Sequence, residues 1–340
     1  MTTTNLTVIG AADIRPSSGR GRRTQFLIEI GATALVLLLP ILLSGSPYVL
    51  RIVQDVAIWS ILALSLTLIF GFTGQISLGQ AVFFALGAYG SAVLQTKLGV
   101  PFPIAWIVAV LLAMLVAYLV ALPLLRIHGH FLALGTLALG LIVSTLLVQM
   151  RDITNGYDGI LMPGMVVLGQ WLFQNFAYVI LGFLALSYWM VRNLTSRGIG
   201  RALFALRDDP AGAAALGIPV TRYKVLAFMI GGGLAGLAGV LYAHHSQVIT
   251  PEAFTFDASI HVLLIVVIGG MSSRLGAILG AAIVVALPEV LHALEEPKNL
   301  IFALVVLAIL LFMPGGIVGG VQQLWRRAAT FISRRKGAGA

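Results

Sequence analysis

Long apolar stretches separated by short polar segments run through most of the chain. A helix that crosses a bilayer needs about 20 predominantly apolar residues, and shorter helices are tolerated where they pack inside protein. The pattern therefore predicts an all-α, polytopic membrane protein with about ten transmembrane helices. The predicted spans are 25–44, 49–70, 76–94, 102–125, 131–150, 176–191, 225–243, 258–270, 276–291 and 299–318.

Two segments interrupt this pattern. The segment 71–79 is too rich in glycine for a simple helix, and 258–270 is short and ends in Gly269-Gly270. Irregular backbone at membrane depth is stable only where it is buried in protein or lines a cavity. We therefore expect a solute path to be built near these two segments, and 258–270 to be a broken or re-entrant element rather than a complete span.

Composition and charge agree with this interpretation and orient the chain. Hydrophobic residues make up 59% of the 340 residues, charged residues 10%, and the mean hydropathy is +1.02. With the N-terminus in the cytoplasm, all of the 21 Lys and Arg residues fall on the inner side except Arg51, Lys97, Arg151 and Lys298. Positive residues favour the cytoplasmic side. We expect both termini to be cytoplasmic, with a disordered tail at 1–24, a transmembrane domain at 25–320 and a basic tail at 321–340.

Several kinds of chemistry are absent from the sequence. No Lys follows a Gly, so there is no phosphate-binding loop of the GxxxxGK[ST] type, and neither HExxH nor GxSxG occurs. The chain has no Cys and its six His are scattered. We expect no cofactor, no metal and no catalytic residues. Ionisable residues within the spans are few; Arg51 and Asp55 are four positions apart, a spacing that allows local pairing or, alternatively, a role in substrate binding.

The predicted cytoplasmic loop 192–224 contains a short helix with clear boundary signals. Asp209 suits the N-cap and Pro210 the first helical position. Gly217 suits a left-handed C-terminal residue, and Pro219 prevents continuation. Two helical turns are marginally stable alone. The helix therefore needs a partner surface, which is either its own membrane domain or another protein.

At this loop the sequence resembles permease subunits of ABC importers, whose cytoplasmic "EAA" loop docks a short helix onto ATPase subunits. The resemblance is to the branched-chain amino-acid permease family, M-type. It is carried by 71–89, by 205–210 with 221–224 and 237–242, and by 250–256 with 267–271. Two positions depart from the family pattern. Ala211 replaces the Glu of the EAA consensus, and Ser272 replaces the second Gly of Gly-Met-Gly-Ser.

The resemblance implies the fold of an ABC importer permease of the vitamin B12 type. It also implies partners: two cytoplasmic ATPase subunits, a second related permease, a periplasmic or extracellular substrate-binding protein and the lipid bilayer, with no nucleic acid. The residues expected to couple the chain to the ATPases are Arg207, Asp208, Asp209, Pro210, Ala213, Ala214, Gly217 and Arg222. The residues expected to line the path, or to allow close backbone packing, are Gly71, Gly74, Gln75, Ser77 and Gly79.

The expected function is that of a non-enzymatic permease subunit, driven by ATP hydrolysis in its partners, for leucine, isoleucine, valine or a similar small solute. Two alternatives stay open. A permease of the same family for urea or short amides has the same sequence features. An autonomous secondary transporter or channel predicts uptake by this chain alone, driven by an ion gradient. A membrane enzyme is disfavoured, because no cluster of His, Asp or Glu gathers at one depth.

Overall fold

The computed structural model describes residues 31, 40, 46–125, 130–162, 175–196, 198–291, 298–313 and 315–320. This part of the chain is mostly helical and also contains one two-stranded sheet. The helices are α1 (Pro47–Leu66), α2 (Gln80–Thr96), α3 (Phe102–Leu124), α4 (His130–Gln149), α5 (Arg151–Thr154), α6 (Phe176–Ser196), α7 (Gly198–Asp208), α8 (Pro210–Ala215), α9 (Val220–Ser246), α10 (Phe256–Gly269), α11 (Arg274–Val290) and α12 (Lys298–Phe312); the strands are β1 (Ile160–Leu161) and β2 (Val248–Ile249).

Five described helices are long and apolar enough to cross a membrane, and a sixth span results if the bent pair α10–α11 counts as one. The five are Pro47–Gly71, Phe102–Leu124, Phe131–Gln149, Phe176–Ser196 and Val220–Ser246. A polytopic, helical membrane protein is therefore confirmed. The predicted first span, 25–44, and the tails 1–24 and 321–340 lie outside the described residues. The count of ten spans stays a prediction.

Small residues set how closely the central helices approach each other. On α3, alanines at every fourth position, such as Ala109, Ala113 and Ala117, are fully buried, whereas Leu111 and Leu115 are more than half exposed. Glycines have the same role where α2 crosses α9: a Cβ on Gly87 would lie 1.9 Å from the Gly236 carbonyl oxygen. In lipid, helices associate by such close packing, because large apolar side chains are equally well accommodated by the acyl chains.

The segment 258–270 forms part of a helix of 14 residues, α10, which is bent by 119° relative to α11. Gly270, with φ of +110°, makes the turn, and the Ser273 side chain caps α11 by accepting a hydrogen bond of 3.0 Å from the Gly276 backbone. The two helices almost touch beyond the turn, where a Cβ on Gly269 would lie 1.9 Å from the Gly276 carbonyl oxygen. The described geometry is that of a broken or re-entrant span, as the shortness of this segment and its two glycines predict.

The segments that carry β1 and β2 meet at one end of the bundle. Strand β1 pairs antiparallel with β2, with Ile160 opposite Ile249. After β2, the short 3-10 turn at Pro251–Phe254 inserts Phe254 between the rings of Phe84, Tyr89 and Tyr242. This end lies one length of α9 away from α8, or about 40 Å for 27 residues at the usual rise per residue.

Candidate functional site

The short helix of the loop 192–224 begins and ends at the predicted residues. Asp209 is the N-cap of α8, and its Oδ1 accepts a hydrogen bond of 3.0 Å from the Ala211 backbone. Pro210 is the first helical residue, and Gly217 has φ of +80°, a value that a residue with a Cβ adopts at a cost. Local signals were sufficient here, because both ends of the helix depend on contacts within ten residues.

Most of α8 is exposed. Within it Ala213 is buried, whereas Ala214 is exposed and Leu216, just after the helix, is 81% exposed. Asp208 and Arg222, on either side of the helix, are exposed as well. A short helix anchored through one alanine presents the rest of its surface, including a large apolar side chain, to a partner. The geometry fits a docking helix better than one buried in its own membrane domain.

The preceding helix, α7, connects α8 to the membrane domain. One face of it is buried, through Leu203 and Leu206. From the same helix, Phe204 packs edge-on against Phe72, with ring centroids 5.3 Å apart. Phe72 is the residue that follows the π-helical turn Thr67–Gly71 at the end of α1. Helix α8 is therefore one helix away from the place where the first described span breaks.

Side-chain hydrogen bonds hold the start of the segment 72–79, in addition to the backbone hydrogen bond of 3.0 Å that Gly74 donates to the Phe70 carbonyl oxygen. Thr73 Oγ1 donates to the Ile69 carbonyl over 2.5 Å, and Gln75 Nε2 donates to Thr73 Oγ1 over 2.7 Å. Gly74 turns the chain with φ of +71°. The Gln75 Oε1 atom is buried and has no hydrogen-bond partner among the described residues. A buried polar atom without a partner is costly, and it marks the break as a place built for something other than stability.

Two of the glycines in this segment are positions of very close backbone packing. A Cβ on Gly71 would lie 1.8 Å from the Met271 carbonyl oxygen, in the turn between α10 and α11. A Cβ on Gly79 would lie 2.8 Å from the Thr136 carbonyl oxygen of α4. Thr136 also accepts a hydrogen bond of 2.9 Å through its Oγ1 from the Leu78 backbone. The broken end of α1 is thus packed against the turn of the bent pair and against α4.

Ser77, the remaining predicted path residue, is buried. Its Oγ accepts a hydrogen bond of 3.4 Å from the Gly79 backbone, which bridges the last residues before α2. Gly74, Gln75, Ser77 and Gly79 lie in the irregular segment before α2, and Gly71 lies in the π-helical turn just before it.

Arg207 lies in the last turn of α7 and links this helix to two other parts of the chain. Its Nη1 donates to the Gly71 carbonyl oxygen over 3.0 Å and also to Ser272 Oγ. Ser272 Oγ lies 3.3 Å from the same carbonyl and donates to it. We call this cluster of Arg207, Gly71 and Ser272 the inner junction. In the sequence, Ser272 stands out only as a departure from the family pattern. A hydroxyl group at a position where glycine is usual was the signal that this side chain makes a hydrogen bond.

A cavity of about 560 Å³ lies beside the inner junction. It is lined by Arg207, the turn 270–275, Tyr188 and the segment around Gly315 and Gly319. The turn of the bent pair therefore has free volume on one side and the broken end of α1 on the other.

The opposite end of the bundle carries a different set of residues. Asp55 Oδ1 lies 3.1 Å from His245 Nε2 of α9. The predicted local pairing of Arg51 with Asp55 is therefore wrong: no ion pair joins the two in the described part of the chain, because α9 brings a closer partner. Next to it, His244 Nε2 accepts a hydrogen bond of 3.2 Å from Trp106 Nε1. Within the described residues, no three His, Asp or Glu are placed to hold a metal ion.

Comparison with known proteins agrees with this geometry. The family model described as "Branched-chain amino acid transport system / permease component" matches residues 48–314. The permease LivM of a high-affinity branched-chain amino-acid transport system, from Escherichia coli K12, is 33% identical over 287 residues, which cover 77% of this chain and 68% of LivM. LivM of Salmonella typhimurium has the same identity and coverage.

The second kind of permease in these systems is similar as well. LivH of Salmonella typhimurium is 26% identical over 284 residues, which cover 77% of this chain and 91% of LivH. No solved structure matches the chain. The residues that the family model matches include the break after α1, helix α8 and the bent pair. This chain belongs to the family of permease components of branched-chain amino-acid transport systems.

Proposed function

We propose that this chain is a permease subunit of an ATP-driven importer and forms part of the path for leucine, isoleucine, valine or a similar small solute. The observation that carries the proposal is the capped and exposed helix α8, one helix away from the broken end of α1. The names of the relatives support the substrate class. The proposal includes a location in the inner (plasma) membrane with both termini in the cytoplasm, and the ten-helix fold of the vitamin B12 type.

The partners follow from what the chain lacks and what it presents. Without a phosphate-binding loop, the chain depends on two cytoplasmic ATPase subunits, and α8 is the surface that meets one of them. LivM and LivH relatives are both permeases of one type of system, which supports pairing with a second, related permease. A substrate-binding protein delivers the solute at the opposite end, over the loops that β1 and β2 join.

The inner junction supplies a route for coupling. A movement of α8 moves α7, because one peptide segment joins them at Asp209. Through Arg207, that movement reaches the Gly71 carbonyl at the break of α1 and Ser272 in the turn of the bent pair. Both of the irregular membrane segments would thus respond together. Coupling between sites requires such a connected element with two arrangements.

The path is proposed to run past the segment 72–79. Gln75 supports this placement, because its buried Oε1 lacks a partner among the described residues, and a passing ammonium or amide group supplies a donor. Gly71 and Gly79 act there mainly through close packing, which keeps the irregular backbone buried. A broken span whose free backbone and amide groups face the solute is a recurring design in transporters.

The proposal is tested with the complex reconstituted in liposomes. An Ala214→Arg substitution places a long cation on the exposed face of α8 and should prevent the ATPases from co-purifying, abolishing ATP-driven uptake of leucine. Ala214→Ser is the matched control and should leave both unchanged. Unchanged assembly and unchanged uptake in Ala214→Arg would overturn the docking role of α8. Uptake by wild-type chain without ATPases, driven by an ion gradient, would instead establish a secondary transporter.

A further inference from the structure

A cavity of about 350 Å³ opens at the end of the bundle opposite to α8. We call it the outer cavity. It lies between the first turns of α1, the last turn of α9 and the start of α6. Ligand sites for small molecules have volumes of roughly 300–1,000 Å³, so a single small solute fits. The lining residues are Pro47, Leu50, Arg51, Gln54, Phe176, His244, His245, Ser246 and Gln247.

One face of α1 forms a wall of this cavity. Pro47, Leu50, Arg51 and Gln54 follow the spacing of neighbours on one side of a helix. The wall therefore carries an apolar patch, a guanidinium group and an amide side by side. Arg51 is exposed and makes no ion pair with the carboxylate one turn further on, Asp55, within the described residues. Its donors are free for a planar acceptor such as a carboxylate.

The opposite wall contains a buried polar atom without a hydrogen bond. His245 has a side chain that is only 7% exposed, and its Nε2 has no hydrogen-bond partner among the described residues. His245 Nε2 lies 3.1 Å from Asp55 Oδ1, which is within ion-pair distance, but the two groups are not aligned for a hydrogen bond. Asp55 keeps 32% of its side chain exposed. A buried polar group in this state is costly unless a ligand or water completes it.

Hydrogen bonds from two other helices hold this wall in place. His244 Nδ1 lies 2.9 Å from the Val240 carbonyl oxygen, an acceptor, so that Nδ1 carries the proton and Nε2 accepts. His244 Nε2 accepts a hydrogen bond from Trp106 Nε1 of α3 and lies 3.1 Å from Gln95 Nε2 of α2. The end of α9 is therefore fixed to α2 and α3. A cavity with such a wall is largely formed before a ligand arrives.

The charges are arranged for a molecule that carries both signs. Arg51 stands on the first turns of α1, where the helix dipole is positive, and Asp55 with the C-terminal end of α9 supplies negative potential nearby. Leu50 and Phe176 offer apolar surface between them. A free α-amino acid has a carboxylate, an ammonium and, in the branched-chain class, an apolar side chain. Urea and short amides lack both charges.

We propose that the outer cavity is a binding site for a zwitterionic, apolar amino acid, with Arg51 facing its carboxylate. Asp55 does not line the cavity but borders it through His245, whose Nε2 lies 3.1 Å from Asp55 Oδ1, and its partly exposed carboxylate attracts the ammonium group. His245 completes the polar wall and positions Asp55. The substrate class rests on the proposed function, whereas the site itself rests on the cavity. In the importer, this site receives the amino acid at the outer face before it reaches the break at 72–79.

The test is direct binding of L-leucine to the full-length chain in lipid nanodiscs, by saturation-transfer NMR, which detects weak ligands. Leucine should bind, whereas leucinamide, which lacks the carboxylate, and 4-methylpentanoate, which lacks the ammonium, should bind at least about tenfold more weakly. Arg51→Gln and Asp55→Asn should each weaken leucine binding about tenfold, as expected for loss of one charged hydrogen-bond partner. Asp158→Asn, which neutralises an exposed carboxylate in the turn just before β1, is the control and should leave leucine binding unchanged.

The outcomes separate this site from the proposed function. Wild-type chain that fails to bind leucine, or that binds leucinamide and 4-methylpentanoate as well as leucine, overturns the site. Unchanged binding in both Arg51→Gln and Asp55→Asn also overturns it, even if the complex imports leucine. Conversely, leucine binding with these losses supports the site even if Ala214→Arg leaves uptake unchanged, a result that overturns only the docking role of α8.

Discussion

The two ends of α1 are held by different kinds of contact. At the inner end, the Gly71 backbone lies so close to the Met271 carbonyl oxygen that a Cβ would collide, and the side chains of Arg207 and Ser272 donate hydrogen bonds to the Gly71 carbonyl oxygen. At the outer cavity the contacts are between polar side chains, and the lining backbone is helical as far as Gln247, which ends α9 with φ of +61°. Backbones that are packed this closely can shift only together. In a site made of side chains, by contrast, each substitution alters the affinity for a ligand separately.

This contrast assigns different tasks to the two ends. A substitution at the inner junction should change assembly or the link between ATP hydrolysis and transport, with little effect on ligand affinity. A substitution at the outer cavity should do the reverse. The following three experiments test that division, in order of the effect expected.

The largest effect is expected for Gly71→Ala. The added Cβ would lie 1.8 Å from the Met271 carbonyl oxygen, so that two backbones must separate. We expect a loss of about 2–3 kcal/mol or more in stability, seen as a lower melting temperature and a smaller monodisperse fraction in detergent by fluorescence-detected size exclusion. Gly182→Ala, where nothing lies within 4 Å of the added Cβ, is the control. Equal behaviour of the two variants would show that the break is loosely packed.

An intermediate effect is expected for Arg207→Gln, which removes the charged donor of the inner junction. The chain should still assemble with its ATPases, but uptake per ATP hydrolysed should fall about fivefold or more, the equivalent of about 1 kcal/mol. Ser272→Ala should show a smaller loss in the same direction. In the double variant the losses should not add, because both residues act on the same carbonyl.

Additive losses in that double variant would contradict a shared junction. Arg201→Gln, on the exposed side of the same helix, is the matched control for the loss of a positive charge and should retain normal coupling. A fall in ATPase binding rather than in the transport ratio would place Arg207 in the docking surface instead. Leucine affinity, measured in nanodiscs, should stay unchanged in all of these variants.

The smallest effect is expected for Trp106→Phe, which keeps an aromatic ring and removes the donor to His244. Because Gln95 remains beside the same His244 nitrogen, we expect a loss of only about 0.5–1 kcal/mol in stability, measured as a small decrease in melting temperature. Trp59→Phe, whose ring packs against Phe84 and His261, controls for the smaller ring. A loss as large as that of Gly71→Ala would mean that the outer end is as tightly constrained as the inner one.

The sequence alone determined those features whose causes are local. Apolar stretches predicted a membrane protein, and the residues from Asp209 to Gly217 predicted both ends of α8, because caps and turns depend on a few neighbouring residues. The glycines of 71–79 and of 269–270 predicted interruptions of the spans, because glycine destabilises a helix interior unless close packing compensates.

Only the tertiary structure decided which residues meet across the bundle. It placed Asp55 against His245 instead of Arg51, it brought Ser272 to Arg207 from 65 positions away, and it set Met271 against Gly71. Such pairs depend on how α1, α9 and the bent pair cross. The crossings are set by close packing of small residues along whole helices, and no short stretch of sequence contains both sides of a packed interface.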